Sequence, residues 1–486
     1  MTDVLIAGAG PVGLTLANEL ARYGVSLRII DKAAARTDKS KALVLWPRSL
    51  ELLEHGGYVE PFLAAGNPAT GAHLSDGSRT VAEVKLAGID TRYPFALMIP
   101  QSETERVLEE QLASRGVHVE RSVEMQRHVD NGHGIEAVLA RADGTTETVT
   151  AGWLVGCDGA HSATRHGLGF GFEGTTMDSD WHLADVHVSG LEPQDQLHIF
   201  WHRDGILAFF PITPGRWRVI ADLGPSADQD SHAPPTLESI QAMVTHRGSP
   251  GIKLGDPIWL SAFRINERKV RQYGKGRVFL AGDAAHIHSP AGGQGMNTGM
   301  QDAFNLAWKL AHVVKGTAKR SLLDSYSPER SAVGDMVLRN AGRMTDAAVT
   351  RNPLLQALRN TFVRMALSFP QLVHVMANTL SELNIAYPDS PLSKAGAHAA
   401  HSTRPGLRWP EVLNVGGRVP RFAAIGPSEV VADLCKRFPA LVQPARESRR
   451  GDPRDLVLVR PDGYVGFAGA ASDAAGAASY LASIAA

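Results

Sequence analysis

Apolar residues near the start of the chain follow first strand spacing, then helix spacing. Residues 4–7 form a short, continuously apolar run, as in a buried strand, and residues 11–23 carry apolar side chains at helical intervals. Branched side chains then dominate residues 25–30. This order predicts a β-α-β unit of about 30 residues, which would begin a parallel sheet flanked by helices.

Strand-like and helix-like patterns of hydrophobic residues return later in the chain. A long stretch with a different hydrophobic pattern interrupts them. Residues 103–116 and 297–314 have helical spacing, and residues 153–155 and 278–281 are short apolar runs. Between about 175 and 275, short strand-like runs are separated by Gly, Pro and Asp, which predicts a mostly antiparallel sheet. The strands expected there are 181–188, 196–201, 206–212 and 217–221.

The last part of the chain begins after a helical region. Residues 321–380 are mostly helical in their spacing, and Gly, His, Ser and Pro cluster at 395–405. Residues 455–459 and 463–467 then flank a Pro-Asp-Gly turn and predict a hairpin. We therefore expect a boundary near 395–405.

Composition narrows the class of protein. The chain has 49 basic and 50 acidic side chains, and this balance argues against a nucleic-acid binder or a polybasic membrane-surface protein. Two cysteines, Cys157 and Cys435, exclude a disulfide scaffold and a cysteine-based zinc finger. The start lacks the basic segment of a signal peptide, and no run of ~18 strongly apolar residues is present. We expect a cytoplasmic protein that does not bind membranes.

A glycine-rich motif lies between the first predicted strand and helix, where the dinucleotide-binding fingerprint is found. Gly8 permits a tight turn, Gly10 lets the backbone approach a pyrophosphate, and Gly13 lets the helix pack on the strand. Asp31 ends the next strand, where a carboxylate suits ribose hydroxyls. A structural turn without a ligand is the alternative. Lys32 hints at a 2′-phosphate, although a solvated charge explains it as well.

A second motif, Asp158-Gly159, follows the run at 153–155. Asp158 is placed to meet a ligand at the end of that strand. Ser162 and Arg165 follow as hydrogen-bond donors to a phosphate or to Asp158. The alternative is that Asp158 or Ser162 only caps the start of a helix.

A third motif, Gly282-Asp283, is followed by a glycine-rich turn and a long helix. Asp283 is placed to bond polyol hydroxyls, and glycines without a Cβ would let a flat ring approach the backbone. The positive end of the helix would stabilise a reduced flavin. A structural glycine-rich loop is the alternative.

The three motifs, in this order, resemble those of the FAD-dependent aromatic hydroxylases. These are the single-component (class A) flavoprotein monooxygenases with the p-hydroxybenzoate hydroxylase fold. The resemblance covers roughly residues 1–390. Within the family the chain is most similar to the phenol and aromatic-polyketide hydroxylases, and its 459–465 segment resembles the hairpin of their C-terminal thioredoxin-like domain. Without a Cys-x-x-Cys pair, that domain cannot perform dithiol chemistry.

The resemblance implies an α/β fold built on a Rossmann-like FAD-binding domain. Residues 1–174 would form its first part, and 175–275 an inserted, mostly antiparallel substrate sheet. Residues 276–395 would complete the FAD-binding domain and add long helices. Residues 400–486 would form the thioredoxin-like domain.

The resemblance also implies an activity. NADPH or NADH would reduce FAD, and O₂ would add to give a C4a-hydroperoxyflavin that hydroxylates a phenolic or polyketide-type aromatic substrate. Because the flavin carries the reaction, no catalytic acid–base set is expected among the side chains. A homodimer is compatible with the family. Two alternatives stay open: an oxidase, epoxidase or Baeyer–Villiger oxygenase on the same scaffold, and a non-catalytic FAD-binding protein.

Residue roles follow from the resemblance in the same way. Gly8, Gly10 and Gly13 would hold the FAD pyrophosphate, and Asp31 the adenosine ribose. Asp31 stands where the family usually has Glu, and Lys41 where many members have Arg. The other implied cofactor contacts are Lys32, Lys41, Gln101, Asp158, Asp283, Gly295, Met296 and Asn297.

The substrate contacts are assigned to the inserted sheet and the third motif. Phe200 and Phe210 would line an aromatic pocket, with simple core packing as the alternative, and Pro290 would face flavin and substrate. Two close histidine pairs, His286 with His288 and His198 with His202, lack a completing carboxylate, so we expect no metal site. We likewise expect no nucleophilic role for Ser162 or Cys157.

Overall fold

The computed structural model describes residues 2–76, 79–225, 235–350, 352–397, 403–445, 448, 450 and 454–486. Its strands are β1 (Thr2–Ala7), β2 (Leu27–Asp31), β3 (Val44–Leu45), β4 (Asn67–Ala69), β5 (Gly71–Ser75), β6 (Thr80–Lys85), β7 (Ala96–Met98), β8 (Val119–Arg121), β9 (Val123–Asp130), β10 (Ile135–Arg141), β11 (Thr146–Gly156), β12 (Glu173–Ser189), β13 (Gln196–His202), β14 (Gly205–Thr213), β15 (Arg216–Pro225), β16 (Lys253–Lys269), β17 (Gly274–Lys275), β18 (Val278–Leu280), β19 (His286–Ile287), β20 (Lys394–Ala395), β21 (Phe422–Ile425), β22 (Val442–Pro444), β23 (Asp455–Val459) and β24 (Val465–Ala470).

The helices connect these strands and cover their faces. They are α1 (Pro11–Arg22), α2 (Pro47–Gly56), α3 (Glu60–Ala65), α4 (Gln101–Ala113), α5 (Ala163–Gly167), α6 (Leu237–Arg247), α7 (Gly295–Val314), α8 (Tyr326–Val349), α9 (Pro353–Ala366), α10 (Pro370–Leu380), α11 (Ser428–Arg437) and α12 (Ala474–Ile484). Short 3₁₀ turns lie at Gly282–Ala284 and Arg320–Ser325.

The first sheet has the order β17-β18-β11-β1-β2-β8, and β9 and β10 extend it from β11. Strand β1 runs parallel to both β11 and β2, and its last four residues are fully buried. A strand buried on both faces must be apolar throughout, which is why residues 4–7 read as one continuous run. The predicted β-α-β unit is confirmed.

The second sheet has the order β19-β16-β12-β15-β14-β13-β5-β6. The strands expected between 175 and 275 are present as β12 to β15, and they pair antiparallel. Strands β5 and β6 join this sheet from a distant part of the chain, through a parallel pairing of β5 with β13. Sequence spacing carries no sign of that pairing because it joins residues more than a hundred positions apart. Helix α6 covers one face of the sheet.

A smaller sheet with the order β20-β24-β23-β21-β22 forms the last part of the chain. The predicted hairpin is confirmed, since β23 and β24 pair antiparallel, and α11 and α12 flank the sheet. The boundary predicted at 395–405 falls partly on residues 398–402, which lie outside the described residues.

One hydrophobic core joins this last sheet to the first. Leu14 of α1 and Ala307 of α7 belong to the same buried cluster as Phe422 and Leu458. Burial of apolar surface is the main stabilising contribution in a fold. The last sheet and the nucleotide-binding motif region are therefore stabilised by the same core.

Buried ion pairs cross the same junction. Arg460 contacts Glu329 of α8 at 2.7 Å and Asp462 at 2.6 Å, and Lys309 of α7 reaches Glu329 at 2.7 Å. All four side chains are at most 2% exposed. A buried charge without its partner is costly, so this network ties the last hairpin to α7 and α8.

Candidate active site

Two glycines in the loop after β1 are required by the packing of the protein itself. Gly8 has φ +99°, and a Cβ on it would lie 2.3 Å from the Cys157 carbonyl oxygen. A Cβ on Gly13 would lie 1.9 Å from the Gly8 carbonyl oxygen. Both distances are far below a permitted contact, so these glycines let β1, α1 and the end of β11 meet.

Gly10 differs from both of its neighbours in the motif. Its φ of −76° is open to any residue, and nothing lies within 4 Å of an ideal Cβ at this position. Gly10 is the N-cap of α1, and no side chain caps that helix. Packing against the rest of the protein therefore gives no steric reason for a glycine here. A bound phosphate lying against the helix N-terminus does give one, so the loop fits a dinucleotide pyrophosphate.

Asp31 closes the same loop from the neighbouring strand. Its Oδ2 accepts a 2.7 Å hydrogen bond from the Ala9 N–H, and its Oδ1 accepts one of 2.8 Å from Ala33. A carboxylate has about four acceptor sites, so two remain for ribose hydroxyls. Asp31 therefore orders the glycine loop whether or not it binds the ribose.

A cleft of about 240 Å³ brings several predicted cofactor residues together. Gly8, Asp31, Lys32 and Asp158 all line it. The first two motifs therefore meet at the carboxyl ends of β1, β2 and β11, where ligands bind in open α/β sheets.

Asp158 has a structural role besides any contact with a ligand. Its Oδ1 accepts from the Ser162 hydroxyl at 2.5 Å, and its Oδ2 accepts from both the N–H and the hydroxyl of Thr164 at 3.0 Å. Ser162 itself caps α5 by accepting from the Arg165 N–H. The capping alternative is thus realised, and the FAD contact of Asp158 stays a prediction.

Arg165 connects the second motif to the third. Its guanidinium donates to the carbonyl of Ala160 at 2.7 Å and to that of Ala284 at 3.1 Å. Arg165 is only 3% exposed, so these bonds form inside the protein. The two motifs are fixed relative to each other by this one side chain.

The side chain of Asp283 is exposed to solvent, yet protein surrounds it closely enough to change the pKa of its carboxyl. The surrounding protein raises the pKa of its carboxyl above the usual value, and nearby His286 and Lys41 partly offset this. Lys41 is also exposed and is close enough to act on that carboxyl. Two predicted cofactor residues, one acidic and one basic, therefore share this region, as a polyol and a pyrophosphate require.

The start of α7 is fixed by the side chain of Asn297. Its Oδ1 accepts from the Trp46 N–H at 2.8 Å, and its Nδ2 donates to the carbonyls of Val44 (2.9 Å) and Gly293 (3.1 Å). Asn297 is fully buried, whereas Gly295 and Met296 beside it are half-buried. The side chain of Asn297 thus holds β3 against α7, a role that the sequence analysis missed. The flavin contacts expected of all three residues stay predictions.

Gly295 resembles Gly10 in one respect. An ideal Cβ on it would make only ordinary contacts, 3.5 Å from the His288 ring. No side chain caps α7, which begins at this glycine. Here too the fold alone does not require glycine, and a flat ring lying against the helix start explains it.

Gln101 and Arg218 hold the segment that carries Lys41. Gln101 Oε1 accepts from the Ala42 N–H at 3.2 Å. Arg218 donates to the Lys41 carbonyl at 2.9 Å while its fork binds both Asp185 oxygens at 2.8 Å. This buried Arg218–Asp185 pair joins the second sheet to the cofactor segment. This pair was not predicted from the sequence, although a charged residue on each of two apolar strands indicated a buried ion pair.

The two phenylalanines assigned to the substrate lie on opposite faces of the second sheet. Phe210 is half-buried and packs with Val44 and Trp46, on the side of the cofactor segment. Phe200 is 1% exposed and packs edge-to-face against Phe209, in the core beneath α6. This packing favours the core alternative for Phe200. Pro290 is exposed just before the glycine-rich turn.

Glu382, which the sequence analysis did not single out, lies behind the start of α7. Its carboxyl is 1% exposed and accepts from the Thr298 hydroxyl at 2.9 Å and from Gln301 Nε2 at 2.5 Å. Burial raises the pKa of Glu382 to about 8. The carboxyl is therefore mostly protonated at neutral pH, and no negative charge opposes the positive end of the helix there.

Comparisons with known proteins decide the family. The family model described as an FAD binding domain matches residues 1–341. A 6-methylpretetramide 4-monooxygenase of Streptomyces rimosus is 36% identical, over 96% of this chain and 90% of that protein. The chain belongs to the FAD-dependent aromatic monooxygenases. Another family member, the pentachlorophenol 4-monooxygenase of Sphingobium chlorophenolicum, is 37% identical over 70% of this chain and 64% of its own.

Solved structures agree with this family assignment. An anhydrotetracycline hydroxylase from Streptomyces rimosus superposes with a TM-score of 0.79 at 30% identity, covering 99% of this chain and 98% of that one. The expected α/β fold and the expected family are confirmed, and the matched domain supports FAD as the cofactor. Across the part of the chain that the structure describes, no helix has the length and apolarity needed to cross a membrane.

Proposed function

We propose that this family member uses NADPH or NADH and O₂ to hydroxylate a phenolic or polyketide-type aromatic substrate. The observation that carries the proposal is Gly10, a glycine at an uncapped helix N-terminus that the fold alone does not require. The same holds for Gly295 at the start of α7. When bound there, FAD would supply the activation of O₂, with the electrons coming from NAD(P)H.

The residues that would hold FAD begin in the cleft described above and continue beyond it. Gly10 would bind the pyrophosphate in the loop that Gly8 and Gly13 shape, and Asp31 with Lys32 would bind the adenosine ribose. The ribitol and flavin would lie farther along, at Lys41, Gln101, Asp158, Asp283, Gly295, Met296 and Asn297.

The second sheet would orient the substrate and keep water away from the reacting ring. Phe210 and Pro290 would contact the substrate, whereas Phe200 would serve the core on the other face of the sheet. The neighbouring Arg218 and Asp185 form an ion pair at 2.8 Å, so neither of them offers an unpaired charge to a substrate. We therefore expect a neutral or weakly anionic aromatic substrate. The names of relatives give pentachlorophenol, 6-methylpretetramide and anhydrotetracycline as their substrates.

The test measures NAD(P)H oxidation together with product mass. Purified protein is incubated with phenols, hydroxybenzoates, hydroxypyridines and polyketide quinones, and consumption of each nicotinamide cofactor is followed. We expect substrate-stimulated oxidation and one added oxygen on a ring carbon. Asp283→Ala is the negative control, because loss of a charge-assisted hydrogen bond costs about 1.5–3 kcal/mol and should leave the protein largely FAD-free.

Other products would point to other functions. Ring expansion, epoxide formation or loss of two hydrogens would indicate a different flavin reaction on the same scaffold. FAD-loaded protein that consumes no NAD(P)H over the whole panel would contradict the proposal. Size-exclusion chromatography of the same sample tests the expected homodimer.

A further inference from the structure

Two histidines and one aspartate meet on the side of the second sheet that faces α6. His202 and Asp204 stand at the turn between β13 and β14, and His246 lies in the last turn of α6. One ligand atom from each of the three lies within 4.8 Å of the others. Asp204 and His246 are 42 positions apart, so sequence spacing gave no sign of the cluster.

The atoms in this cluster are those that bind divalent transition metals. His246 Nε2 lies 2.7 Å from Asp204 Oδ2, and His202 Nδ1 lies 3.5 Å from the same oxygen. The Asp204 backbone N–H donates to His202 Nδ1 at 3.2 Å, so that nitrogen is unprotonated, and a metal would take over the lone pair that accepts this hydrogen bond. Imidazole nitrogen and carboxylate oxygen together suit zinc, whose bond lengths of about 2.0–2.2 Å place tetrahedral ligands roughly 3.3 Å apart.

The surroundings leave room for the small adjustment that a metal needs. His246 and Asp204 have side chains 55% and 47% exposed, so they can move apart by the roughly 0.6 Å that separates their 2.7 Å contact from the spacing of zinc ligands. Arg203 lies 3.5 Å from the carboxylate, but its side chain is 76% exposed and can turn into solvent. The other nearby cation, Arg247, donates to the Asp222 carbonyl, and its Nη1 lies 3.2 Å from where a Cβ on Gly205 would stand, so its positive charge stays close to the turn.

The cluster is separate from the proposed flavin pocket. Successive residues of a strand face opposite sides, so His202 and Trp201 point away from each other. The His202 ring lies 4.9 Å from that of His246 on α6, whereas Trp201 packs with Arg359 of α9 on the other side. A metal in the cluster would therefore not touch the reacting ring.

We propose that His202, Asp204 and His246 form a zinc site that fixes the β13–β14 turn to the end of α6. Water completes the tetrahedral coordination on the solvent side. The Arg203 carbonyl in the same turn accepts a 3.0 Å hydrogen bond from Gln356, so the fixed turn also supports the start of α9. This inference departs from the expectation of no metal site drawn from the sequence, and it does not depend on the proposed function.

The test uses the full-length, FAD-loaded protein after dialysis against a chelator. Zn²⁺ is titrated in competition with a chromophoric chelator, and Co²⁺ is titrated separately to record its visible absorption. We expect one equivalent of tight binding, a Co²⁺ spectrum without a thiolate band, and a melting temperature that rises with Zn²⁺. His246→Gln and Asp204→Asn should each weaken binding at least roughly tenfold and abolish the rise in melting temperature.

The matched control is His133→Gln, which removes an exposed histidine from the β9–β10 turn. It should bind Zn²⁺ like the wild type. The flavin absorbance of each variant reports that it is folded, so a failure of one ligand variant to fold leaves the other to decide. Absence of binding in the wild type, or unchanged binding in both ligand variants, would overturn the proposal.

Discussion

The glycines in the loop after β1 differ in what requires the absence of a side chain at each position. Gly13 is enforced by the Gly8 carbonyl, whereas Gly10 has open space where a Cβ would stand. The sequence motif names both positions and does not separate the two reasons. Only the distances in the fold divide the motif into residues that serve packing and a residue that serves a ligand.

This difference gives a test in which one methyl group is added at each position. Gly10→Ala should lower the stability of the FAD-free protein by no more than about 1 kcal/mol, because the methyl meets no protein atom and Ala is only a poorer N-cap than Gly. It should weaken FAD binding at least about tenfold, since the backbone can no longer approach the pyrophosphate. Gly13→Ala is the comparison and should destabilise the protein whether or not FAD is present. Urea unfolding and flavin titration measure the two effects, and normal FAD affinity in Gly10→Ala would refute the interpretation of Gly10.

The buried Glu382 carboxyl predicts a pH dependence of stability. Its pKa of about 8 in the fold exceeds the value of 4.5 expected for an exposed Glu, so between these pH values the folded state holds a proton that the unfolded state releases. The unfolded state therefore binds fewer protons, and this group lowers the free energy of unfolding as pH rises from about 4.5 to 8, by up to ~1.4 kcal/mol per unit. Above pH 8 its effect levels off.

Glu382→Gln removes this titration while keeping the shape of the side chain. Relative to the wild type, the variant should gain stability between pH 5 and pH 8, measured by urea unfolding at both values. Glu136→Gln, at an exposed position of β10, is the control and should show no such gain. An equal stability difference at the two pH values would show that Glu382 is ionised in the fold.

At the scale of elements, the strands were predictable but the faces they present were not. Alternation within 196–201 and 206–212 indicates two strands, yet which residues share a face depends on how the two pair. The observed register sets Phe200 opposite Leu207, and so places Phe200 on the same side as Phe209 and away from Phe210. The turn that fixes this register contains His202 and Gly205, whose pairing has no signal in hydrophobic spacing.

The two adjacent phenylalanines of β14 allow a matched experiment. Phe210→Ala should raise the substrate KM or divert NAD(P)H oxidation to H₂O₂ while FAD stays bound, because a lost aromatic contact costs about 2–4 kcal/mol. Phe209→Leu, on the α6 side, should lower stability by about 1 kcal/mol and leave coupling unchanged. H₂O₂ yield and KM with the true substrate separate the two outcomes. If Phe210→Ala keeps wild-type values of both, Phe210 belongs to the core.

At the scale of the whole molecule, the sequence suggested a separate last part beginning near residue 400. Its hairpin is a local signal, and the structure confirms it. The shared core and the Arg460–Glu329 pair are long-range features, which arise only when distant segments pack together. Local spacing therefore predicted the elements of this part and gave no information on how firmly it is attached.

The contacts that attach the last part of the chain to the rest predict the effect of removing them. Arg460→Ala should lower the free energy of unfolding by about 3–5 kcal/mol, because it leaves Glu329 buried without its partner. Arg127→Ala, at an exposed position, is the control for loss of one positive charge.

Removal of all residues after 400 should give insoluble protein, because the apolar side chains of α7 that face the last sheet become exposed. A soluble truncated protein that binds FAD would instead establish an independent nucleotide-binding unit.

Arg22, at the end of α1, also connects the first part of the chain to the last. Its guanidinium donates to the Gly417 carbonyl, 395 residues farther along the chain. A ribosome adds about 5–20 residues per second, so roughly 20–80 seconds separate the synthesis of these two partners. During that interval the nascent nucleotide-binding helix carries an arginine whose final acceptor does not yet exist, beside a core that is still open. The apolar surface that faces the last sheet stays uncovered during this interval, which is when the growing chain is most prone to aggregation.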